Sequence, residues 1–203
     1  IGSWLRDREL RREVTVITKG GASTNSVSRV NPRDLSADLQ ESLQQMGIDY
    51  VDLYLVHVDD PEAPVEPLVN QLDQHVKDGT VRNYGFSNWA HTRIERSRAY
   101  ARETSKSLPS ASSLHFSLAR PVRPPWPATL SLVGPGAEQA RQWYVDNLMP
   151  VLAWSPLAGG FFSGRFARTN LHAFTDYFDL RCVEAYCYEE NFLSLNAPIG
   201  FRR

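Results

Sequence analysis

Short apolar segments alternate with amphipathic helical segments along this chain, and the alternation restricts the fold more than any other feature. Five segments have the length and the apolar or β-branched character of buried strands: residues 14–18, 52–57, 81–86, 111–116 and 151–153. Six helical segments accompany them: residues 4–12, 31–46, 64–77, 91–104, 137–148 and 180–195. This order predicts a parallel sheet with crossover helices, in either a β/α barrel or an open doubly wound sheet. No Gly-x-Gly-x-x-Gly follows a predicted strand, which argues against a Rossmann unit.

Local signals fix some boundaries. Asn31, Pro32 and Asp34 form a strong helix start, with a capping side chain, a proline at the first helical position and an acid in the first turn. Gly47 is placed to end that helix. Residues 121–136 are rich in proline and predict an irregular loop.

Bulk composition narrows the class of protein. The 203 residues suffice for one domain, and a net charge of −1 gives no electrostatic reason to expect nucleic acid or an anionic membrane as a partner. No apolar run approaches the roughly 18 residues of a membrane span, and no secretory leader opens the chain. Cys182 and Cys187 lie five residues apart and predict two reduced thiols in a cytoplasmic protein. The first residue is Ile1 rather than Met, so we expect a piece of a longer protein.

Polar groups follow four of the five predicted strands. In a barrel, the carboxyl ends of all strands converge on one mouth, where the chemistry lies. These groups are Lys19, His57, Ser87 with Asn88, and Trp154 with Ser155. Taken singly, Lys19 is as consistent with a surface lysine as with a functional one. His57 alone is as consistent with a structural histidine as with a catalytic one. Asp59 and Asp60 either pair with Lys19 or are solvated.

Strand alternation predicts where side chains of the second strand point. If His57 faces the barrel axis, Leu53 and Leu55 face it too, whereas Tyr54 and Val56 face the helices.

Four ordered motifs resemble those of the aldo-keto reductase family. The strand ending at Lys19 and the strand from Asp52 to His57 resemble the family's lysine and histidine strands. Residues 85–89, Gly-Phe-Ser-Asn-Trp, are similar to its Gly-x-Ser-Asn-aromatic element. Residues 154–157, Trp-Ser-Pro-Leu, resemble its aromatic-Ser-Pro-Leu turn, and residues 162–166 fit the loop that follows. The resemblance runs from about Trp4 to about Leu195 and implies a single (β/α)8 TIM barrel domain over residues 1–203, with about five of eight units present and truncation at both ends.

The resemblance also implies a function and a set of site residues. The function is the NADPH-dependent reduction of an aldehyde or ketone, with a small-molecule carbonyl compound as substrate. Lys19 and His57 would be catalytic. The expected cofactor contacts are Ser87, Asn88 and His115 for the nicotinamide carboxamide, Trp154 for stacking, and Ser155 with Leu157 for the turn near the pyrophosphate. His115 stands where we align the family's glutamine.

Three departures from the family pattern leave alternatives open, and His115 in place of the family's glutamine is one of them. The family's aspartate and proton-donating tyrosine precede the lysine strand, and neither Tyr54 nor Tyr84 is expected to replace that tyrosine. The family's last strand and basic loop are not matched, since Arg202 and Arg203 resemble that loop in charge only. The chain is therefore either a reductase segment, inactive by itself if the aspartate and tyrosine are missing, or a catalytically dead remnant that binds nucleotide weakly or serves as an interaction surface. A Schiff-base lyase using Lys19 is a third possibility.

Overall fold

The structure is a computed structural model that describes residues 1–23 and 27–195. Its sheet has four parallel strands in the order of the chain, which confirms the parallel α/β prediction. The strands are β1 (Ile17–Gly20), β2 (Val51–Val56), β3 (Val81–Ser87) and β4 (Ala111–Ser113). The α-helices are α1 (Gly2–Asp7), α2 (Pro32–Met46), α3 (Val65–Lys77), α4 (His91–Glu103), α5 (Glu138–Asp146), α6 (Tyr177–Tyr186) and α7 (Glu189–Ser194). Two short 3-10 helices cover Ala158–Ser163 and Leu171–Ala173.

Contacts divide the chain into two compact units. Unit 1 comprises Ile1–Ser113 with Gln142–Leu152, and unit 2 comprises Leu114–Arg141 with residues 153–195. Unit 1 contains the whole sheet. The single barrel domain over 1–203 stays a prediction, and Arg202 and Arg203 lie outside the described residues.

Helix α2 begins and ends where local chemistry predicts. The Asn31 side chain accepts a hydrogen bond of 3.0 Å from the Asp34 amide, and Pro32 opens the helix. Gly47 adopts φ 61°, a left-handed conformation that costs a residue without Cβ little, and ends the helix.

The two faces of the sheet bury different side chains. Tyr54 is fully buried and donates a hydrogen bond of 2.7 Å to the Leu35 carbonyl of α2, so it faces the helices. Leu53 and Leu55 pack with Ala111 on the opposite face. The predicted alternation along β2 is therefore confirmed.

Two predicted strands are displaced or absent. The first begins at Ile17 instead of residue 14, because the Val16 amide donates to the Asp52 carboxylate at 2.9 Å instead of joining a ladder. Residues 151–153 form no strand. Val151 makes an isolated parallel bridge to Ser112, and in unit 2 Trp154 makes one to His115. The sheet thus has four strands where the sequence predicts five.

The predicted last helix is two helices. Asp176 caps α6 by accepting hydrogen bonds from the amides of Phe178 and Asp179, so α6 begins before residue 180. It ends at Tyr186, and the Cys187 ψ of 69° leaves the helical region. The Asn191 side chain donates to the Tyr186 carbonyl at 2.9 Å, which satisfies a helix end that would otherwise lack a partner.

Unit 2 has its own aromatic core. Phe161 and Phe192 pack with ring centroids 5.2 Å apart, and Tyr186 and Cys182 complete the buried cluster beside them.

None of the helices in the described ranges combines the length and the apolar character that crossing a membrane requires.

Close packing at Gly20 yields a stability prediction. A Cβ at position 20 would lie 1.8 Å from Tyr54 Oη and 3.0 Å from Asp38 Cβ. We expect Gly20→Ala to lower the free energy of unfolding by about 1–3 kcal/mol, because neighbouring groups must shift. Urea denaturation measures the change.

The double variant Gly20→Ala with Tyr54→Phe is the control. Removing the hydroxyl removes the closest clash, so the two effects should be less than additive. Strict additivity would show that Tyr54 is not the obstacle.

Candidate functional site

The strand register places the candidate residues of unit 1 in two adjacent layers on one face of the sheet. Lys19 pairs with Leu55, and Leu55 pairs with Gly85, so Lys19 belongs to the layer that includes these residues. Ser87 pairs with Ser113 one layer further toward the carboxyl ends. His57 directly follows the registered pair Val56↔Phe86 and joins that second layer. Lys19, His57 and Ser87 therefore share one face at the carboxyl edge.

Two hydrogen bonds fix the backbone immediately after Lys19. The Gly21 amide donates to the Asp38 carboxylate of α2 at 2.8 Å, and the Gly20 carbonyl accepts from the His57 amide at 2.8 Å. Partial burial lowers the pKa of the Lys19 ammonium although the residue remains solvent-exposed overall. In the parts of the chain that the structure covers, Lys19 has no carboxylate within ion-pair distance.

His57 is half-buried beside that cation. Desolvation lowers its pKa, and the positive charge of Lys19 lowers it further. A neutral imidazole near pH 7 carries one N–H donor and one acceptor. It can orient a polar group without adding a second positive charge to this face.

The acids after His57 pair differently from either sequence alternative. Asp59 makes an ion pair with Arg93 of α4 at 2.9 Å, and both side chains are more than four-fifths buried. Desolvation raises the pKa of Asp59, and Arg93 offsets part of that rise. Asp60 caps its own loop by accepting from the Glu62 amide at 3.1 Å. Of the two alternatives that the sequence left open, pairing with Lys19 does not hold for Asp59, whose carboxylate pairs with Arg93.

Asn88 provides an acceptor without a donor. The residue is buried, with φ 58°, and its amide donates to the Ser113 carbonyl at 3.0 Å. Its Nδ2 donates to the His57 carbonyl at 3.2 Å and to Ser87 Oγ at 3.3 Å. Its Oδ1 is buried with no hydrogen-bond partner in the described ranges. A carboxamide N–H of a nicotinamide is the kind of donor that would satisfy this oxygen.

Neither tyrosine of the sheet can serve as proton donor on this face. Tyr54 and Tyr84 are paired with each other and alternate with Leu55 and Gly85, so they lie on the helix-facing side. Tyr84 Oη donates to the Ser107 carbonyl at 2.7 Å, and burial raises the pKa of both phenols. These two tyrosines are structural.

Ser113 is a site candidate that the sequence did not reveal. It is buried, ends β4 and is in register with Ser87. Its carbonyl accepts the Asn88 amide, so it lies directly beside the Ser87–Asn88 pair. A strand that ends at residue 113 instead of 116 was the missing information.

His115 lies in unit 2 and is fully engaged there. Its Nδ1 is 2.8 Å from Ser131 Oγ and its Nε2 is 2.6 Å from Tyr186 Oη. The ring is completely buried, and desolvation lowers its pKa to about 4. Both ring nitrogens are therefore used inside unit 2, and the cofactor contact assigned to His115 stays a prediction.

The turn from Trp154 to Leu157 is also in unit 2. The Trp154 ring packs edge-on against His115, with centroids 4.9 Å apart, and its Nε1 is buried without a partner in the described structure. Ser155 adopts φ 53°, and its carbonyl accepts the Ala158 amide at 2.9 Å. Leu157 is largely exposed. Ser155 lines a small cavity of about 40 Å³ together with Gly159 and Cys182.

The carboxyl edge of this parallel sheet holds a lysine, a histidine and a Ser-Asn pair. The chain is therefore of the class of α/β proteins that carry their site at the strand ends. The model of the Aldo/keto reductase family matches residues 1–176. The chain belongs to the aldo/keto reductase family. This family has a (β/α)8 barrel, and the four parallel strands observed are consistent with part of one.

Two of three similar curated proteins are named aldo-keto reductases. The chain is 28% identical over 173 residues to the aldo-keto reductase yakc of Schizosaccharomyces pombe, whose name includes NADP(+); the match covers 82% of this chain and 46% of that protein. Aldo-keto reductase str7 of Strobilurus tenacellus is 31% identical over 99 residues, 49% of this chain and 29% of the relative. A probable voltage-gated potassium channel subunit beta of Oryza sativa subsp. japonica is 26% identical over 191 residues, 85% and 50%. The chain spans at most about half the length of these relatives.

The buried His115 makes stability depend on pH. Its pKa is about 4 in the folded chain against about 6.5 when unfolded, so the unfolded state takes up a proton first as pH falls. We expect the free energy of unfolding to decrease between pH 6.5 and 4 by about 3 kcal/mol from this residue. Urea denaturation at several pH values measures the slope.

His115→Gln should flatten that slope, since glutamine does not titrate. His172→Gln changes an exposed histidine of the same unit and should keep the wild-type slope. An unchanged slope in His115→Gln would show that other groups cause the acid sensitivity.

Proposed function

We propose that this chain is the part of an NADPH-dependent oxidoreductase that carries the lysine and histidine of its active site, and that the enzyme reduces aldehydes or ketones to alcohols. The observation that carries the proposal is the common face at the carboxyl edge of the sheet, where Lys19 and His57 lie next to Ser87 and the unpaired Asn88 Oδ1. The NADP(+) in the name of the yeast relative supports the choice of cofactor. The substrate class is a small carbonyl compound.

Each residue of unit 1 has a distinct proposed role. When bound, NADPH would supply a hydride to the carbonyl carbon, and a phenol of the kind the family uses would supply the proton to its oxygen. Lys19 contributes positive charge, which stabilises negative charge that develops on a nearby oxygen. His57, neutral near pH 7, donates one N–H to orient that oxygen. Ser87 and Asn88 bind a carboxamide through a hydroxyl and an amide oxygen.

In unit 2, the proposed contacts follow the family resemblance. Trp154 offers an aromatic face for stacking, and the turn that contains Ser155 and Leu157 offers backbone amides for a phosphate group. The proton-donating phenol of the family is supplied by neither Tyr54 nor Tyr84. We propose a cytoplasmic location, where Cys182 and Cys187 would remain the free thiols they are here.

An accessory role is the second candidate. The rice relative is named a probable potassium channel subunit, so a protein similar to this chain can be named for something other than catalysis. A remnant of this kind would bind nucleotide weakly or present an interaction surface. Tryptophan fluorescence titration with NADPH and an assay of aldehyde reduction separate the two. Tight binding with turnover supports the reductase, whereas no binding at millimolar NADPH supports the second candidate.

Lys19 provides the first test of the assigned roles. Lys19→Met removes the cation and should lower kcat by on the order of 100-fold while the Kd for NADPH changes little. Arg102→Met removes an exposed cation from α4 and is the matched control. Full activity of Lys19→Met would sink the role of Lys19.

Ser87 provides a test that needs binding alone. Ser87→Ala removes one hydrogen bond to the carboxamide and should raise the Kd for NADPH roughly fivefold. Ser110→Ala, one residue before β4, removes a hydroxyl that donates to the Tyr84 carbonyl in the middle of β3 and should leave the Kd unchanged. Equal values for both variants would contradict the assigned contact.

A further inference from the structure

The segment that follows His57 lies outside the ladder of the sheet. Residues 58–63, here called the His57 loop, run from the end of β2 to the start of α3 at Val65. Backbone carbonyls in such a segment need donors from elsewhere, because the strands no longer supply them. In unit 1 these donors come from three side chains at the end of β3 and the start of α4.

Arg93 supplies most of them. Its Nη2 donates to the carbonyls of Asp60 and Ala63, both at 3.0 Å, and its Nη1 donates to that of Pro61 at 3.2 Å. Its Nε donates to Asp59 Oδ1 at 2.9 Å. One guanidinium thus binds four residues of the His57 loop, a number that its rigid fork of five donors permits and an ammonium does not.

Asn88 and Trp89 hold the beginning of the same segment. Trp89 Nε1 donates to the Val58 carbonyl at 3.0 Å, and Asn88 Nδ2 donates to that of His57 at 3.2 Å. The Trp89 ring is fully buried, stacked on Phe86 at 4.1 Å, and the Arg93 guanidinium lies 4.7 Å from its centroid. Five carbonyls between residues 57 and 63 therefore bind side chains from residues 88, 89 and 93.

We propose that Arg93 is a positioning residue for His57: it fixes the His57 loop and thereby the direction in which the His57 ring leaves the end of β2. The proposal rests on the proposed function, in which His57 orients the carbonyl oxygen. Arg93 itself acts only through the loop. Among the residues that the structure describes, the neighbouring Arg96 makes one exposed ion pair, with Glu66 at 2.7 Å, and no hydrogen bond to the His57 loop.

The test compares Arg93→Met, Arg93→Lys and the control Arg96→Met in the full chain. The first measurement is the NMR spectrum of the His57 ring, assigned with His57→Gln, together with hydrogen exchange of the Glu62 and Ala63 amides. Arg93→Met should shift the His57 ring signals and speed exchange of these amides at least roughly tenfold. Arg93→Lys should lie between Arg93→Met and the wild type, and Arg96→Met should match the wild type.

The second measurement is turnover, wherever the wild type reduces an aldehyde. Arg93→Met should lower kcat by roughly tenfold or more and leave the Kd for NADPH within twofold, since misplacement of a catalytic group affects the reaction more than binding. If Arg93→Met does not fold, Arg93→Lys carries the comparison alone.

The outcomes separate the two proposals. Unchanged His57 signals and turnover in a folded Arg93 variant would overturn the positioning role, even if stability falls. No binding of NADPH by the wild type at millimolar concentration would count against the proposed function, while the ring signals and amide exchange would still decide whether Arg93 positions His57.

Discussion

Parallel pairing of β2 with both of its neighbours is the constraint on which the rest of unit 1 depends. A Cβ at Gly85 of β3 would lie 3.0 Å from the Leu55 side chain of β2 and 2.1 Å from the Ala111 carbonyl oxygen of β4, so the paired strands leave no room for a side chain there. Because the strands run in register, their carboxyl ends lie side by side. The register alone therefore places His57, Ser87 and Ser113 in one layer. The polar residues at the carboxyl edge are thus brought together by the backbone hydrogen bonds between the strands.

Periodicity and turn chemistry were enough to predict helices α2, α3 and α4 and the inward face of β2. The helix predicted over residues 4–12 is shorter than expected, since α1 ends at Asp7. Helix α2 begins after a capping asparagine and ends at a glycine in the left-handed conformation. Both signals can be recognised in the local sequence. The start of β1 could not be predicted, because it depends on a carboxylate 36 residues further along the chain that takes the Val16 amide. A hydrogen bond between residues so far apart in the chain cannot be predicted from the residues around Val16 alone.

The same distinction applies to the site. Lys19, His57, Ser87 and Asn88 were found as polar groups at the ends of apolar runs, and the register unites them on one edge. The engagement of His115 could not be foreseen, because Tyr186 approaches it from 71 residues away. Arg93 gave no signal either: an arginine in the first turn of a helix looks like an ordinary surface cation until its four bonds to the loop are seen.

Asn88 Oδ1 has a thermodynamic consequence that reaches beyond its location. A buried acceptor that finds no hydrogen-bond donor costs about 1–3 kcal/mol of folding free energy, and Asn88 Oδ1 has no protein donor within the described residues. A bound molecule that presents an N–H to this oxygen recovers that cost, so part of its affinity is free energy that folding left unrecovered. Occupancy and resistance to unfolding then rise together as linked quantities. A molecule that donates a hydrogen bond to Asn88 Oδ1 would therefore stabilise the fold as it binds.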